Sequence, residues 1–436
     1  MLKKSKIFRI LIVLAVFSLC FYYFKESKEV FYFSDIVSPY FSLGFLIISA
    51  LLLGVVANEL GLPSLTGYLV AGMLFGPQVF NFVSNRDIKT LELINSIALS
   101  FIAISAGGEL KMESLKKNSK PILIITVVQS VLILSGIFLV FYPLLKFGFL
   151  VKGLQLTSLV FFCLFLGVIA VAKSPASTIA IINEYKARGT FTDIVLGITM
   201  IKDVVVLLMF SLTFAFARNA ISGIELSPKF FLSIFSHILI SGVAGIIFGF
   251  LMIVFFKYVA KEIGIFVVLA SFISYKFASI VGLESMFMCM VAGFVVQNFS
   301  KQGSVLIDAI EGSHLPVYVI FFSIAGAGLD FSSLKSYWVA VLLFVVIRLF
   351  LIYGTTYLGA TLSKTIESVK KYSWTGFITN AGLTLSMVIL IEQEFKDFGS
   401  ILKAIVISVV AINQIIGPVL FKIGIEKSGE ATKLNQ

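Results

Sequence analysis

The chain has 436 residues, 59% of them hydrophobic and 13% charged, with a formal net charge of +11 and a mean hydropathy of +1.05. A soluble domain carries roughly 45–50% apolar and 25% charged residues, so this composition excludes one and points to an integral membrane protein throughout. In a soluble chain the basic excess would suggest nucleic acid; here it falls mostly in short loops and reads as a topology signal, with no nucleic-acid partner.

The start, MLKKSKIFRILIVLAVFSLCFYYFKESK, joins a basic segment to an apolar run of about 17 residues, the pattern of a signal peptide or a signal anchor. Phe21, Tyr22, Tyr23 and Phe24 stand where a small-residue cleavage site would, which favours an uncleaved signal-anchor helix within residues 1–30. Apolar segments of bilayer length follow that at 7–24, namely 41–60, 64–80, 92–109, 121–143, 155–183, 192–217, 230–256, 263–281, 285–299, 313–330, 337–360, 373–394 and 400–423. They predict an all-α polytopic membrane protein of about 13–14 transmembrane helices over 41–424 and the first segment, with a tail at 425–436.

Alternate threading puts the loops KMESLKKNSK, EYKARG and SKTIESVKK on one side together with the basic tail. That side holds roughly twice as many Lys and Arg as the other, which assigns it, and both termini, to the cytoplasm. Polar stretches reach only about a dozen residues, too short for a folded soluble module, so function is expected inside the bundle. Cys20, Cys163 and Cys289 lie in apolar runs without C-x-x-C spacing. Such thiols pack as small hydrophobes, and neither a metal nor a cofactor is expected.

Helices 121–143, 155–183 and 192–217 have a counterpart in 337–360, 373–394 and 400–423, entered from the opposite side, as in an inverted repeat. The middle helix of each triplet carries a breaker near its centre: Ser174-Pro175-Ala176-Ser177 in one, Thr379-Asn380-Ala381-Gly382 in the other. Proline removes a donor and clashes with the preceding turn, while Gly and Asn tolerate unwinding. Broken backbone at membrane depth persists only where protein or a cavity satisfies it.

Four charges fall deep in these segments: Lys173, the adjacent pair Lys202-Asp203, and Arg348. Asp203 lies about eleven residues, or roughly 16 Å, into its helix, and Lys173 and Arg348 lie at similar depths in a core about 30 Å thick. Snorkelling needs a nearby interface, so such groups either pair as structural ions or bind and move charge. Asp203 is the one acidic residue at that depth in any predicted span, which makes it the natural ligand for a cation or a proton. Consecutive helical residues do not face each other, so Lys202 must find another partner or spend part of its time neutral, as a proton carrier would. Elsewhere, His237 and His314, placed at the start of helix 313–330, read as packing or interface residues. Asp193 stands at a helix start where negative charge complements the dipole, Glu109 at a helix end beside an entrance or a solvated loop, and Glu392 and Glu394 on a solvated face. Gly242, Gly245 and Gly249 have the spacing that lets helices approach closely.

The run GLPSLTGYLVAGMLFGP at 61–77, the Ser-Pro break followed by Asn183-Glu184, a polar residue directly before Asp203, and Arg348 in the first helix of the second triplet together resemble the monovalent cation/proton antiporter superfamily of bacterial Kef-type and Na⁺/H⁺ exchangers. The resemblance implies a homodimer in the bacterial inner membrane. Each subunit would have a core (121–217 and 337–423) and dimerisation or scaffold helices (41–80 and 230–300). It further implies that Asp203 binds the ion and the proton, that Arg348 neutralises the core, and that Ser174, Pro175, Asn380, Ala381 and Gly382 form the crossover. Two positions depart from the pattern: Lys202 stands where Asp, Asn or Gln is usual, and Lys173 where a small polar residue is common. The function so implied is exchange of Na⁺ or K⁺ for H⁺ by alternating access, and not an enzyme. An anion or organic-acid carrier, favoured by three cations against one carboxylate, and a non-transporting sensor or assembly subunit are the alternatives.

Overall fold

The computed structural model describes residues 2–26, 37–147, 155–222, 228–259, 262–329, 334–380 and 382–432. Its helices are α1 (Leu2–Glu26), α2 (Val37–Glu59), α3 (Ser64–Phe75), α4 (Asn85–Thr90), α5 (Glu92–Glu109), α6 (Met112–Lys117), α7 (Ser119–Lys146), α8 (Leu156–Val171) and α9 (Pro175–Tyr185). The second half comprises α10 (Thr190–Ser222), α11 (Pro228–Tyr258), α12 (Ile263–Val281), α13 (Ser285–Phe299), α14 (Gly303–Ala327), α15 (Leu334–Leu362), α16 (Glu367–Tyr372), α17 (Gly382–Glu394) and α18 (Gly399–Ser428), with a 3₁₀ turn at Ser373–Phe377. No strand occurs among the described residues.

Ten segments are long and apolar enough to cross a bilayer, counting the broken α8–α9 as one, and α3 and α13 are shorter apolar helices. Together with α5 and the broken pass from Ser373 to Glu394, they occupy the positions of all the expected segments. Helices suit such a chain because every backbone donor and acceptor in an apolar layer must be satisfied within the segment. Where two helices must touch closely, glycine permits it. Gly107 of α5 and Gly293 of α13 each lie against the other helix's backbone, and Gly245 and Gly249 of α11 lie against Met288, Val291 and Val295 of α13, as their spacing predicts.

Two boundaries differ from the sequence reading. Helix α14 begins at Gly303 rather than 313, so His314 sits eleven residues inside it, its ring against Tyr318 and its Nδ1 2.8 Å from the Glu311 carbonyl. The extra turns carry Ser304 and Asp308, which line a cavity, and Glu311, which pairs with Lys186 and Arg188; their polarity reads as a loop in the sequence. Helix α3 stops at Phe75, five residues early, at Gly76 and before Pro77.

For description, α7–α10 with α15–α18 are called the central bundle, and α1–α5 with α11–α14 the flank. The flank buries its own seam of α5, α11 and α13, while apolar side chains such as Ile247, Leu251, Leu269 and Ile273 remain exposed on α11 and α12.

Candidate functional site

The two broken passes meet at the middle of the central bundle. Helix α8 stops at Val171; Ala172 is extended, and Ser174 opens α9 as its cap, with Pro175 at the first helical position, where a missing N–H costs least. The Ser174 N–H donates to the Thr379 carbonyl at 2.7 Å, which ties one break to the other. Asn380 then knits the crossing. Its Nδ2 donates to the carbonyl of Ala172 at 2.8 Å, its Oδ1 accepts from Asn413 at 3.0 Å, and its carbonyl accepts from Gln414 at 2.7 Å. Gln414 Oε1 in turn accepts from Ser177 of α9 at 3.2 Å. Gly382 opens α17, and Ala381 lies outside the described residues.

Interrupting a helix leaves its last carbonyls without partners and its dipole end negative. Arg348, the midpoint of α15 and 1% exposed, takes up this role. Its Nε donates to Ala170 and its Nη2 to Ala172, both at 2.9 Å, at the end of α8. Nη1 reaches the Ile378 carbonyl at 2.5 Å and Nη2 the Phe377 carbonyl at 3.4 Å, at the end of the 3₁₀ turn. One guanidinium thus closes both broken ends with hydrogen bonds to four carbonyls.

The two lysines are placed differently. Lys173 is 2% and Lys202 1% exposed, and their ammonium groups lie 5.0 and 5.6 Å from the centroid of one ring, Phe377. The Lys173 Nζ is buried without a hydrogen-bond partner. Lys202 finds an aromatic face rather than its neighbour Asp203, as the helical geometry predicts. Asp203, thirteen residues into α10, is half-buried. Asp203 lies within electrostatic reach of Lys173 and Lys202, and also of Glu284, which directly precedes α13 on the flank. Glu284 was missed from sequence because it stands between two apolar runs and reads as a loop residue. A usable signal existed: the run 285–299 is too short to span about 30 Å at 1.5 Å per residue, so its leading residue must be drawn inward.

A cavity lies at each end of the seam between central bundle and flank. One, of about 360 Å³, is lined by Glu109, Arg188, Thr192, Asp193, Leu196 and Asp308, so Glu109 does border an opening. The other, of about 370 Å³, is lined by Lys89, Glu92, Asn95, Phe321, Ile389 and Gln414; through Gln414 it abuts the crossover network. At the first cavity the chain's tail folds back. The Glu430 carboxylate accepts from the Phe191 N–H at 2.7 Å and from the Thr192 N–H and hydroxyl at 2.8 Å, at the start of α10. The motif residues Asn183 and Glu184 at the end of α9 reach the flank: Asn183 donates to the Tyr318 hydroxyl at 2.9 Å, and Glu184 accepts from the Ser64 N–H at 2.6 Å.

Two discontinuous helices crossing at mid-bundle, charges held beside the crossing and a cavity at each end of the seam are the architecture on which secondary transporters with broken helices are built. The chain belongs to the sodium/hydrogen exchanger transmembrane family, which it matches over residues 47–423. A stretch of 177 residues is 29% identical to the Na(+)/H(+)-K(+) antiporter GerN of Bacillus cereus, covering 40% of this chain and 42% of that protein. A stretch of 178 residues is 24% identical to the probable Na(+)/H(+) antiporter GerT of the same organism, covering 41% and 44%. The matched stretch is thus less than half of either relative. The sodium proton antiporter MjNhaP1 from Methanocaldococcus jannaschii at pH 8 is similar in fold, with a TM-score of 0.60 and 17% identity over 90% of this chain and 96% of that one. A second MjNhaP1 structure, from electron microscopy, gives 0.67 and 18% over 89% and 95%.

Proposed function

We propose that this chain exchanges Na⁺ or K⁺ for H⁺ across a bacterial cytoplasmic membrane by alternating access, as a homodimer with both termini in the cytoplasm. The observation that carries the reading is Asp203: a half-buried carboxylate at the middle of α10, beside a helix crossing and between two cavities. A carboxylate is a hard oxygen ligand suited to alkali ions and can carry a proton instead, so one group serves both cargoes in turn. Cation binding displaces a proton from Asp203 or from Lys202, and the central bundle carries the occupied site past the flank. If Lys202 is protonated whenever the cation is absent, one positive charge moves each way and exchange is electroneutral. The crossover residues Ser174, Pro175, Asn380 and Gly382 interrupt the two helices and tie the breaks to each other, which fixes the backbone beside the site. The exposed apolar faces of α11 and α12 suit lipid or a second copy.

Geometry weakens the anion-carrier reading. Of the three buried cations that motivated it, Arg348 is spent on backbone carbonyls and offers an anion no free donors on one side of its fork. The test is a proteoliposome pH-gradient assay with Na⁺, K⁺ and Li⁺ added in turn. Wild type should release protons on addition of one or more of these cations. Asp203→Asn should abolish the response while keeping the wild-type melting temperature, because an amide keeps the shape but cannot cycle between charged and neutral forms. Proton release by anions instead, or full exchange by the folded variant, overturns the assignment.

A further inference from the structure

The turn between α2 and α3 is gripped from across the seam by two opposite charges. Helix α2 ends at Glu59, and Gly61 follows in the left-handed region at φ +77°, with the Gly61 and Leu62 N–H groups donating back to Asn58 and Ala57 at 2.9 and 2.8 Å. The Gly61 carbonyl accepts from Lys422 Nζ of α18 at 2.7 Å. Helix α3 then starts behind Pro63, which supplies no side-chain cap, and its Ser64 N–H donates to the Glu184 carboxylate at the end of α9 at 2.6 Å. An ammonium at the C-terminal end of one helix and a carboxylate at the N-terminal end of the next each complement the local dipole. Lys422 is 9% exposed and is steadied by Glu426 at 3.4 Å and by the Tyr185 ring at 5.5 Å.

Both charges stand on helices that carry the crossing. Glu184 lies nine residues beyond Pro175 on α9, and Lys422 eight beyond Gln414 on α18, or roughly 14 and 12 Å at 1.5 Å per residue. Among the described residues, the side-chain hydrogen bonds and ion pairs that join central bundle to flank all involve Lys422 or residues 183–188. Besides the two above, Asn183 donates to Tyr318 at 2.9 Å and to Ser105 at 3.3 Å, and Lys186 and Arg188 pair with Glu311 at 3.4 and 3.2 Å. The last two pairs are well exposed, and such pairs hold weakly. Glu184 and Lys422 instead engage backbone groups, which are satisfied only while the two parts stay in register.

We propose that Glu184 and Lys422 form a charged clasp on the α2–α3 turn, which keeps the seam closed at this end and has to open before the central bundle can move. Of the α10 residues that line the cavity at this end, Leu196 is the deepest, roughly two turns short of Asp203, whereas the far cavity reaches Gln414 of the crossover. The clasped state therefore takes its cation from the far end, and the clasp sets how much of the protein occupies that state. Its role rests on the alternating-access reading above.

The test measures apparent KM from each face of oriented proteoliposomes, for Na⁺ or K⁺, whichever drives proton movement in wild type. The variants are Glu184→Ala, Lys422→Met and Lys422→Arg. Apparent affinity scales with the fraction of molecules in the competent state, and loosening the clasp depopulates the state open at the far end. In Glu184→Ala and Lys422→Met, KM should rise from the far face and fall from the clasped face. The ratio of the two should change by about tenfold, as expected of one charge-assisted hydrogen bond. Lys422→Arg keeps a charged donor and should hold the wild-type ratio. Glu184→Ala and Lys422→Met report independently, so one that reconstitutes poorly leaves the other to decide. Unchanged KM on both faces, or a shift in the same direction on both, overturns the inference, because damage to the fold or to the ion site acts on both faces alike. A wild type with no cation-dependent proton movement overturns instead the antiport reading on which it rests, so the two failures are told apart.

Discussion

Arg348 and Lys173 are both sealed within the same crossing, at 1% and 2% exposure, but their surroundings treat them in opposite ways. Every part of the guanidinium that faces the break is used: carbonyls from the ends of two half-helices accept from it. The ammonium of Lys173 has no hydrogen-bond acceptor and leans on the Phe377 ring, which Lys202 shares. Arginine keeps its charge under all ordinary conditions and presents donors in a rigid fork, whereas lysine is a point charge that can lose its proton when desolvated. The permanent charge is therefore tied to the backbone, whereas the two lysines share one aromatic ring. On the antiport reading proposed above, the difference separates a structural cation from two that take part in the exchange.

The largest expected effect follows from removing the structural one. Arg348→Ala strands the carbonyls of Ala170, Ala172, Phe377 and Ile378 in an apolar interior and should lower stability by about 3–5 kcal/mol, read as a fall in melting temperature in detergent. Arg348→Lys should recover only part of that loss, because an ammonium cannot span the ends of both half-helices as the fork does. A lysine variant as stable as wild type would show that charge alone suffices and would break the comparison.

Lys173→Met supplies the opposite expectation. The substitution keeps the apolar stem and volume against Phe377 while removing a buried charge that has no hydrogen-bond acceptor to lose. Replacing buried ionic groups by well-packed apolar ones is often neutral or stabilising by about 1–4 kcal/mol. The melting temperature should hold or rise, and the loss should appear in transport instead, as a changed pH dependence of exchange. A drop comparable to that of Arg348→Ala would mean that both cations are structural.

How much of this contrast can be read from the chain depends on what carries each signal. Segment positions follow from hydropathy, and both breaks from local chemistry, Pro175 in one and Asn380 with Gly382 in the other. The depth of Arg348 was equally plain, but its partners are backbone carbonyls, which every residue owns and no residue type marks. Which helix faces which is likewise absent from a one-dimensional pattern, so Phe377 gave no hint that two lysines would share its ring. Glu284 shows the same limit in the flank: a carboxylate between two apolar runs looks solvated until the shortness of α13 is weighed.

The smallest effect is expected where the same electrostatic device works in water. Glu430 does for the start of α10 what Arg348 does for the end of α8, with the sign reversed: a carboxylate accepting from the orphan N–H groups of Phe191 and Thr192, at the positive end of the dipole. It is half-buried at a bundle face rather than sealed at the crossing. Water can therefore replace it, and Glu430→Ala should cost about 1 kcal/mol, the usual value of an N-terminal cap. The helix it caps carries Asp203 thirteen residues on, far beyond the first turn in which a cap acts, so KM for the cation should not move. A stability loss approaching that of Arg348→Ala would show that the tail clamps the central bundle as firmly as the crossing does, and that solvent exposure is not what separates the two. A rise in KM without a fall in melting temperature would instead connect the tail to the ion site through the cavity at Thr192 and Asp193.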